Sequence, residues 1–358
     1  MKILYITDGF TRLSVFRSQV HTLCSRHARN HAVHMGVFAR LPEYGDAIED
    51  GVPYTWSRSL LLPKAFVPEI NRLSALLSGL GRAVREAEVI HCRGHVGTGL
   101  GLALRARHNP GAPLVADIRG AIVQELAESP SPLSRALAGQ ALRLERRIFS
   151  GPDWFFFVSE NMRRHYAGLY AVAEGRSSVF PTVVDDALFH KDGEAREAVR
   201  ADFGWAGKYV YAYSGGVDHW QNMDLMLHRF AQAATGRGDL ALLLLVTDPE
   251  GVGAKVRALG LDEEAVRVMH VPYEAVGRYL NAADAGLVIR KDTLVNRVAS
   301  PTKVNEYAAC GLRIITDPER IGDTANPGGE SAGHVSLDEI VAGQDAVYRR
   351  LAAMGGAD

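Results

Sequence analysis

Cysteine is scarce in this sequence, which has only Cys24, Cys92 and Cys310. Three scattered cysteines supply neither a disulfide framework nor a Cys-based zinc site, and a reducing cytosol is their natural setting. Long hydrophobic runs are also missing; none approaches the roughly 18 unbroken apolar residues of a membrane span. The opening residues, Met1-Lys2-Ile3-Leu4-Tyr5-Ile6-Thr7-Asp8, have no long apolar h-region and no cleavage signature, so they are not read as a signal peptide. Neither sign of charge is in excess: 40 Lys and Arg face 41 Asp and Glu, for a formal net charge of -1. That balance gives no global argument for nucleic acid as a partner. The chain has no internal repeat, no low-complexity tract and no Asp-x-Asp motif.

What is present suits a soluble two-domain α/β protein. The 358 residues are 47% hydrophobic and 23% charged, comfortable for two cores. Short apolar strands at 2–7, 33–38, 88–92, 113–116 and 153–159 alternate with helical patterns, and the alternation resumes at 209–214, 240–247, 285–289 and 312–316. Such alternation predicts parallel sheets. The Asp/Gly/Glu-rich stretch 185–197 is the natural boundary, giving domains 1–190 and 191–358.

The densest signal lies at 290–315 (RKDTLVNRVASPTKVNEYAACGLRII). An apolar strand gives way abruptly at Arg290, Ser300-Pro301-Thr302-Lys303 follows, then a helical stretch carrying Glu306, then Gly311 and a second strand. Strand, polar loop and helix N-terminus in that order predict an anion site, because free backbone N–H groups and the positive end of the helix dipole face the loop. Ser300 suits an N-cap and Pro301 the first turn. Lys303 and Arg290 add positive charge. Glu306 stands one turn beyond Thr302, within reach of a ribose hydroxyl pair next to a bound phosphate. Taken on pattern alone, an ordinary strand–loop–helix with a solvated Lys and Glu fits equally well.

This segment resembles the donor-nucleotide motif of the retaining glycosyltransferase family 4, whose members have the GT-B fold: two Rossmann-like domains with parallel sheets facing a central cleft. The family pattern is E-x7-E. Its second glutamate matches Glu306, which the resemblance makes the ribose-holding residue, and its first falls on Val298, so half the motif is missing. The run from Ser300 to Glu306 is similar to polysaccharide-type members. The run Tyr209 to Ser214 with Gly215-Gly216 resembles the first strand and glycine loop of the nucleotide domain, and many relatives carry a lysine where Gln221 stands. The loop around Val271 usually borders the nucleobase. Leu114 to Gly120 resembles the Asp-x-Arg-Gly segment of polysaccharide-type members, which places Arg119, with Asp117 beside it, where many relatives have a histidine.

The rest of the N-terminal half is less pointed. The loop 8–14 is expected to face the acceptor, so Asp8 and Gly9, with Arg93, His95 and Glu125, are acceptor-side candidates. An Asp117–Arg119 pair could instead be purely structural. Gly97-x-Gly99-x-Gly101, with Asp117 twenty residues after Gly97, tempts one toward a dinucleotide fingerprint. The spacing has Leu102 where a third glycine belongs, and small residues on a helix packed closely on a sheet explain it more cheaply. His21, His27, His31 and His34 cluster without an acidic or Cys partner, so they read as a solvated helix end and no metal is expected. Residues 54–67 mix Trp56, Arg58, Lys64 and leucines, and 70–84 predicts one amphipathic helix. Such a surface suits peripheral contact with anionic lipid, or else it packs the core or shapes the acceptor groove. The last helix, 337–353, is expected to pack back across the domains.

The expectation is therefore a cytoplasmic, metal-independent retaining glycosyltransferase of cell-surface polysaccharide synthesis, with contact at the inner membrane face as an option. Its partners would be a nucleotide-diphosphate sugar as donor substrate, with no cofactor, and a glycan or lipid-linked acceptor. Catalytic candidates are Asp117, Arg119, Arg290 and Lys303. Donor candidates are Gly215, Gly216, Gln221, Val271, Ser300, Pro301, Thr302 and Glu306. Two rivals stand beside it: a catalytically silent nucleotide-sugar-binding subunit, and a GT-B nucleotide-sugar epimerase.

Overall fold

The computed structural model describes residues 1–9, 14–41, 48, 51–217, 221–324 and 335–355. The chain divides into two units: Met1–Thr182 with Thr293–Ser300 and Leu337–Asp358, and Val183–Asp292 with Pro301–Ser336. Most of the expected loop 8–14 lies outside the described residues.

The N-terminal unit is built on seven parallel strands: β1 (Lys2–Asp8), β2 (Ala32–Ala39), β3 (Thr55–Leu60), β4 (Val89–Arg93), β5 (Leu114–Ile118), β6 (Trp154–Phe157) and β7 (Ser177–Val179). Their order in the sheet is β3-β2-β1-β4-β5-β6-β7. A strand such as β6 reads as an unbroken apolar run, as expected of a parallel sheet buried on both faces. The glycine run sits in the helix Gly94–His108, beneath which the sheet approaches closely. A Cβ at Gly97 would stand 3.2 Å from the Ile6 carbonyl, and one at Gly101 would collide with Cys92 Sγ. The glycines serve helix–sheet packing.

The C-terminal unit holds β8 (Tyr209–Gly215), β9 (Leu240–Val246), β10 (Val266–Met269), β11 (Ala285–Leu287) and β12 (Arg313–Ile315), all parallel, in the order β10-β9-β8-β11-β12. Every residue of β9 is buried. Both sheets reverse strand order beside their first strand, between β1 and β4 and between β8 and β11. Crevices at the carboxyl ends of strands at such points are where open α/β sheets take ligands.

One expectation is corrected here. The single helix at 70–84 is two helices, Pro68–Leu76 and Gly81–Glu86, with the chain turning at Leu77 to Leu80. Ser78 helps end the first by donating from Oγ to the Ala75 carbonyl (2.7 Å). The last helix, Leu337–Gly355, returns to the N-terminal unit, where it packs against the helix Thr22–His27. No described helix is long and apolar enough to cross a membrane.

Candidate functional site

In the C-terminal unit the ends of β8 and β11 and the helix Thr302–Ala309 converge. Gly286 makes this possible: the Tyr307 ring occupies the space a Cβ would need. The Tyr307 hydroxyl then accepts from the Ser214 amide (2.8 Å), fastening the helix to the end of β8. Next along, Gly215 adopts φ +127, a conformation closed to other residues without strain. Its open side faces Lys303, whose Nζ would lie 3.4 Å from an added Cβ. Lys303 Nζ also stands 3.9 Å from the Tyr213 ring centroid and 3.1 Å from Gln221 Oε1. The Tyr213 hydroxyl donates to the Gly216 carbonyl (2.5 Å).

Arg290 follows β11 and borders the same Tyr213. Its Nε and Nη1 are buried without a hydrogen-bond partner, and burial pulls its pKa down despite Tyr213. An orphaned guanidinium is costly unless an anion satisfies it. Glu306 is 7% exposed. Burial raises its pKa to about 7, against the opposing pull of Lys303 and the Tyr273 hydroxyl. Tyr273 opens the helix Tyr273–Leu280 just after Val271, so Glu306 and the Val271 loop come together.

The expected cap is corrected. Pro301, not Ser300, is the N-cap residue of Thr302–Ala309, and no side chain caps that end. The Ser300 hydroxyl instead lies 3.4 Å from the Thr182 amide, in the N-terminal unit. Val298 also belongs there, 2% exposed in that unit's hydrophobic core, with its carbonyl accepting from Ser159 Oγ (2.6 Å).

In the N-terminal unit Asp117 lies next to the end of β5, in register with Arg93 on β4. Its carboxylate meets Arg119 Nη1 (3.2 Å), Arg93 Nη1 (3.4 Å) and, at long range, His91 Nε2 (3.5 Å). Burial alone would raise its pKa, but Arg119, His91 and Arg93 together hold it well below the usual carboxylate range. His91 stacks on Tyr5 and its Nδ1 accepts from the Tyr348 hydroxyl (2.6 Å). Burial lowers the pKa of this histidine, against the opposing pull of Asp117. Arg119 reaches on to Gln19 Oε1 (3.5 Å). Asp8 ends β1, buried enough that its pKa rises, with Gly9 after it. The carboxylate of Glu125 lies against Gly120. His95 is turned to other work: its Nε2 meets Glu145 Oε2 (3.1 Å) in a buried network with Tyr166 and Tyr170.

The family model described as Glycosyltransferase Family 4 matches residues 18–188. No curated protein matches the sequence. Among solved structures, sucrose-phosphate synthase from Thermosynechococcus elongatus superposes with a TM-score of 0.72 at 16% identity, covering 99% of this chain and 100% of that one. Anabaena HepE in complex with UDP-glucose gives 0.66 at 13% identity, with 100% of each chain covered. WaaG, a glycosyltransferase involved in lipopolysaccharide biosynthesis, gives 0.60 at 13%, covering 99% and 94%.

The fold is GT-B. Within it the partners that hold the candidate residues were mostly invisible in the sequence. Tyr213 reads as one residue of an alternating strand and Tyr273 as part of the loop near Val271, yet they border Lys303 and Glu306. His91 sits mid-strand and Tyr348 lies 257 residues away from it, and no local pattern joins them to Asp117. The histidine cluster is corrected too. His27 is buried, and Asp345 of the last helix is the acidic partner that His27 and His31 lacked. His21 goes to Tyr54 and His34 to Thr55 and Ser57.

Proposed function

We propose that this GT-B chain is a retaining glycosyltransferase. It would move a sugar from a nucleotide-diphosphate sugar to a hydroxyl of a glycan or lipid-linked acceptor in cell-surface polysaccharide synthesis. The observation that carries this reading is the pair of buried, unpartnered guanidinium nitrogens (Nε and Nη1) of Arg290 beside Tyr213, with Lys303 on the same ring and the uncapped amides of Thr302–Ala309. Together they fit a diphosphate. Thr302 and Pro301 open that helix, Gly215 and Gly216 allow the backbone to approach the phosphates, and Glu306 takes the ribose. Backbone groups near Val271 take the base. Residues 191–358 would bind the donor and 1–190 the acceptor, with 293–300 and the last helix counted with the latter. HepE was solved with UDP-glucose, which makes uridine nucleotides the first donors to try.

The acceptor oxygen attacks the anomeric carbon on the face the diphosphate leaves. The C–O bond to phosphate breaks as the new glycosidic bond forms, and the acceptor proton passes to the departing phosphate oxygen. Arg290 and Lys303 stabilise the charge that develops there, with no metal ion needed for the purpose. Asp117 is already engaged by three cationic or imidazole groups, which suits orienting Arg119 toward sugar or acceptor rather than nucleophilic attack. Asp8, Gly9, Arg93 and Glu125 would line the acceptor side; His95 supports it from within.

A cytoplasmic location with contact at the inner membrane face fits the helix Pro68–Leu76 and the turn after it. This segment buries Asn71, Ser74 and Ala75 while exposing Leu73, Leu76 and Leu77 beside Arg72.

The test is release of nucleoside diphosphate from a panel of nucleotide sugars, with membrane glycan and lipid extracts as acceptors. The anomeric configuration of the product is then read by NMR. Acceptor-dependent release with retained configuration is expected. The buried Val298 at the first motif position favours one second reading, a silent nucleotide-sugar-binding subunit, which would bind donor and never release it. Donor epimerised without acceptor would instead support the epimerase.

A further inference from the structure

We infer that the N-terminal unit carries a divalent transition-metal site made by His27, His31 and Asp345, which staples the last helix to the first helical segment. His27 ends the helix Thr22–His27, and the His31 amide donates to the His27 carbonyl (3.0 Å). That turn presents both rings on one side, where Asp345 of Leu337–Gly355 meets them. Asp345 Oδ1 lies 2.8 Å from His27 Nδ1, and Oδ2 lies 3.0 Å from His31 Nε2. The ligand atoms of all three fall within 4.8 Å of one another. An ion with bonds of about 2.1 Å holds its ligand atoms no more than about 4.2 Å apart, so the side chains would shift slightly to close on it.

Two observations favour a cation over a plain hydrogen-bonded cluster. His27 Nε2 lies 2.9 Å from Gln344 Oε1, a contact that fixes the ring with Nδ1 turned to Asp345 Oδ1, 2.8 Å away. Orientation of a ligating imidazole by an outer acceptor is the usual arrangement around metal ions. His31 supplies the second observation. Its side chain is 5% exposed, and neither ring nitrogen has a hydrogen-bond partner, the Nε2 contact being close to Asp345 but out of line. A metal ion would satisfy that nitrogen.

The donor set, two imidazoles and one carboxylate, suits Zn²⁺, Co²⁺ or Ni²⁺ rather than Mg²⁺ or Ca²⁺. An open cavity of about 340 Å³, lined by Asn30, Asp345 and the arginines 26, 29 and 349, leads to Asp345. It gives an entry path and leaves the remaining position to water or a small anion. Arg26 is offset by Asp338 (3.2 Å). The site is separate from the residues proposed for sugar transfer, and the inference stands without that reading.

The full chain is stripped with chelator, loaded with Zn²⁺ or Co²⁺ and passed through gel filtration. One equivalent of metal per chain is expected to remain in wild type. The cobalt form should absorb in the visible, and zinc should raise Tm by about 5 °C. His31→Gln, at a turn where folding is least at risk, should lose the metal, the colour and the Tm rise, while His34→Ala should keep all three. Wild type that retains no metal overturns the inference, as does a His31→Gln protein that binds like wild type.

Discussion

The ammonium of Lys303 lies over the ring of Tyr213, 3.9 Å from its centroid, with Gln221 Oε1 3.1 Å away. The aromatic face holds the charge by cation–π attraction and leaves it facing Gly215. Replacing Lys303 with Ala should lower affinity for a nucleoside diphosphate by roughly 10- to 100-fold, the value of a charge-assisted hydrogen bond. Arg290→Ala should do at least as much. Tyr213→Phe, which keeps the ring, should bind nearly as wild type. Calorimetric titration of the three variants checks the order.

Glu306 should make stability depend on pH. Its pKa is raised to about 7 from the ordinary 4.5, chiefly by burial. A carboxyl raised on folding contributes stability that is complete below about 4.5 and lost as pH climbs through about 7. Wild type should therefore lose on the order of 3 kcal/mol relative to Glu306→Gln between pH 4 and pH 8. Urea unfolding of both proteins across that range measures the difference. A constant gap would mean that folding leaves the pKa of the carboxyl unchanged.

Restoring the missing motif glutamate should harm the protein. Val298 is buried in an apolar core, and Val298→Glu would place an unpaired carboxylate there. A loss of several kcal/mol is expected, visible as a Tm drop without any gain in donor binding. A stable and more active variant would show that position 298 has access to the donor.

Asp117 should behave as the centre of a buried ion-pair group. Asp117→Asn leaves Arg93 and Arg119 uncompensated and should cost about 3–5 kcal/mol at pH 7. Because its pKa is depressed below the ordinary 3.8, its contribution is present above that value and lost as pH falls. The gap between the two proteins should narrow on acidification. Tyr348→Phe, which removes only the hydroxyl bonded to His91, should cost about 1 kcal/mol.

Local pattern explains which features were legible. The strands of both sheets were readable because parallel strands buried on two faces are continuous apolar runs, β9 most plainly. The donor side was readable because a strand end, a loop and a helix start lie within about twenty residues of sequence, ending in Lys303 and Glu306. The rest depended on contacts between distant segments. Asp345 reaches His27 across 318 residues, and Ser300 turns to Thr182 across 118, which no periodicity records. The break at Leu77–Leu80 was hidden because apolar spacing continues through it.

The most direct measurement is a thermal-shift panel of UDP, GDP, ADP, CMP and their common sugars on wild type, Glu306→Ala and Lys303→Ala. One nucleotide family should raise the Tm of wild type by several degrees, and of either variant much less. A flat panel for wild type, or shifts that survive both substitutions, would contradict a nucleotide-sugar site in the C-terminal unit.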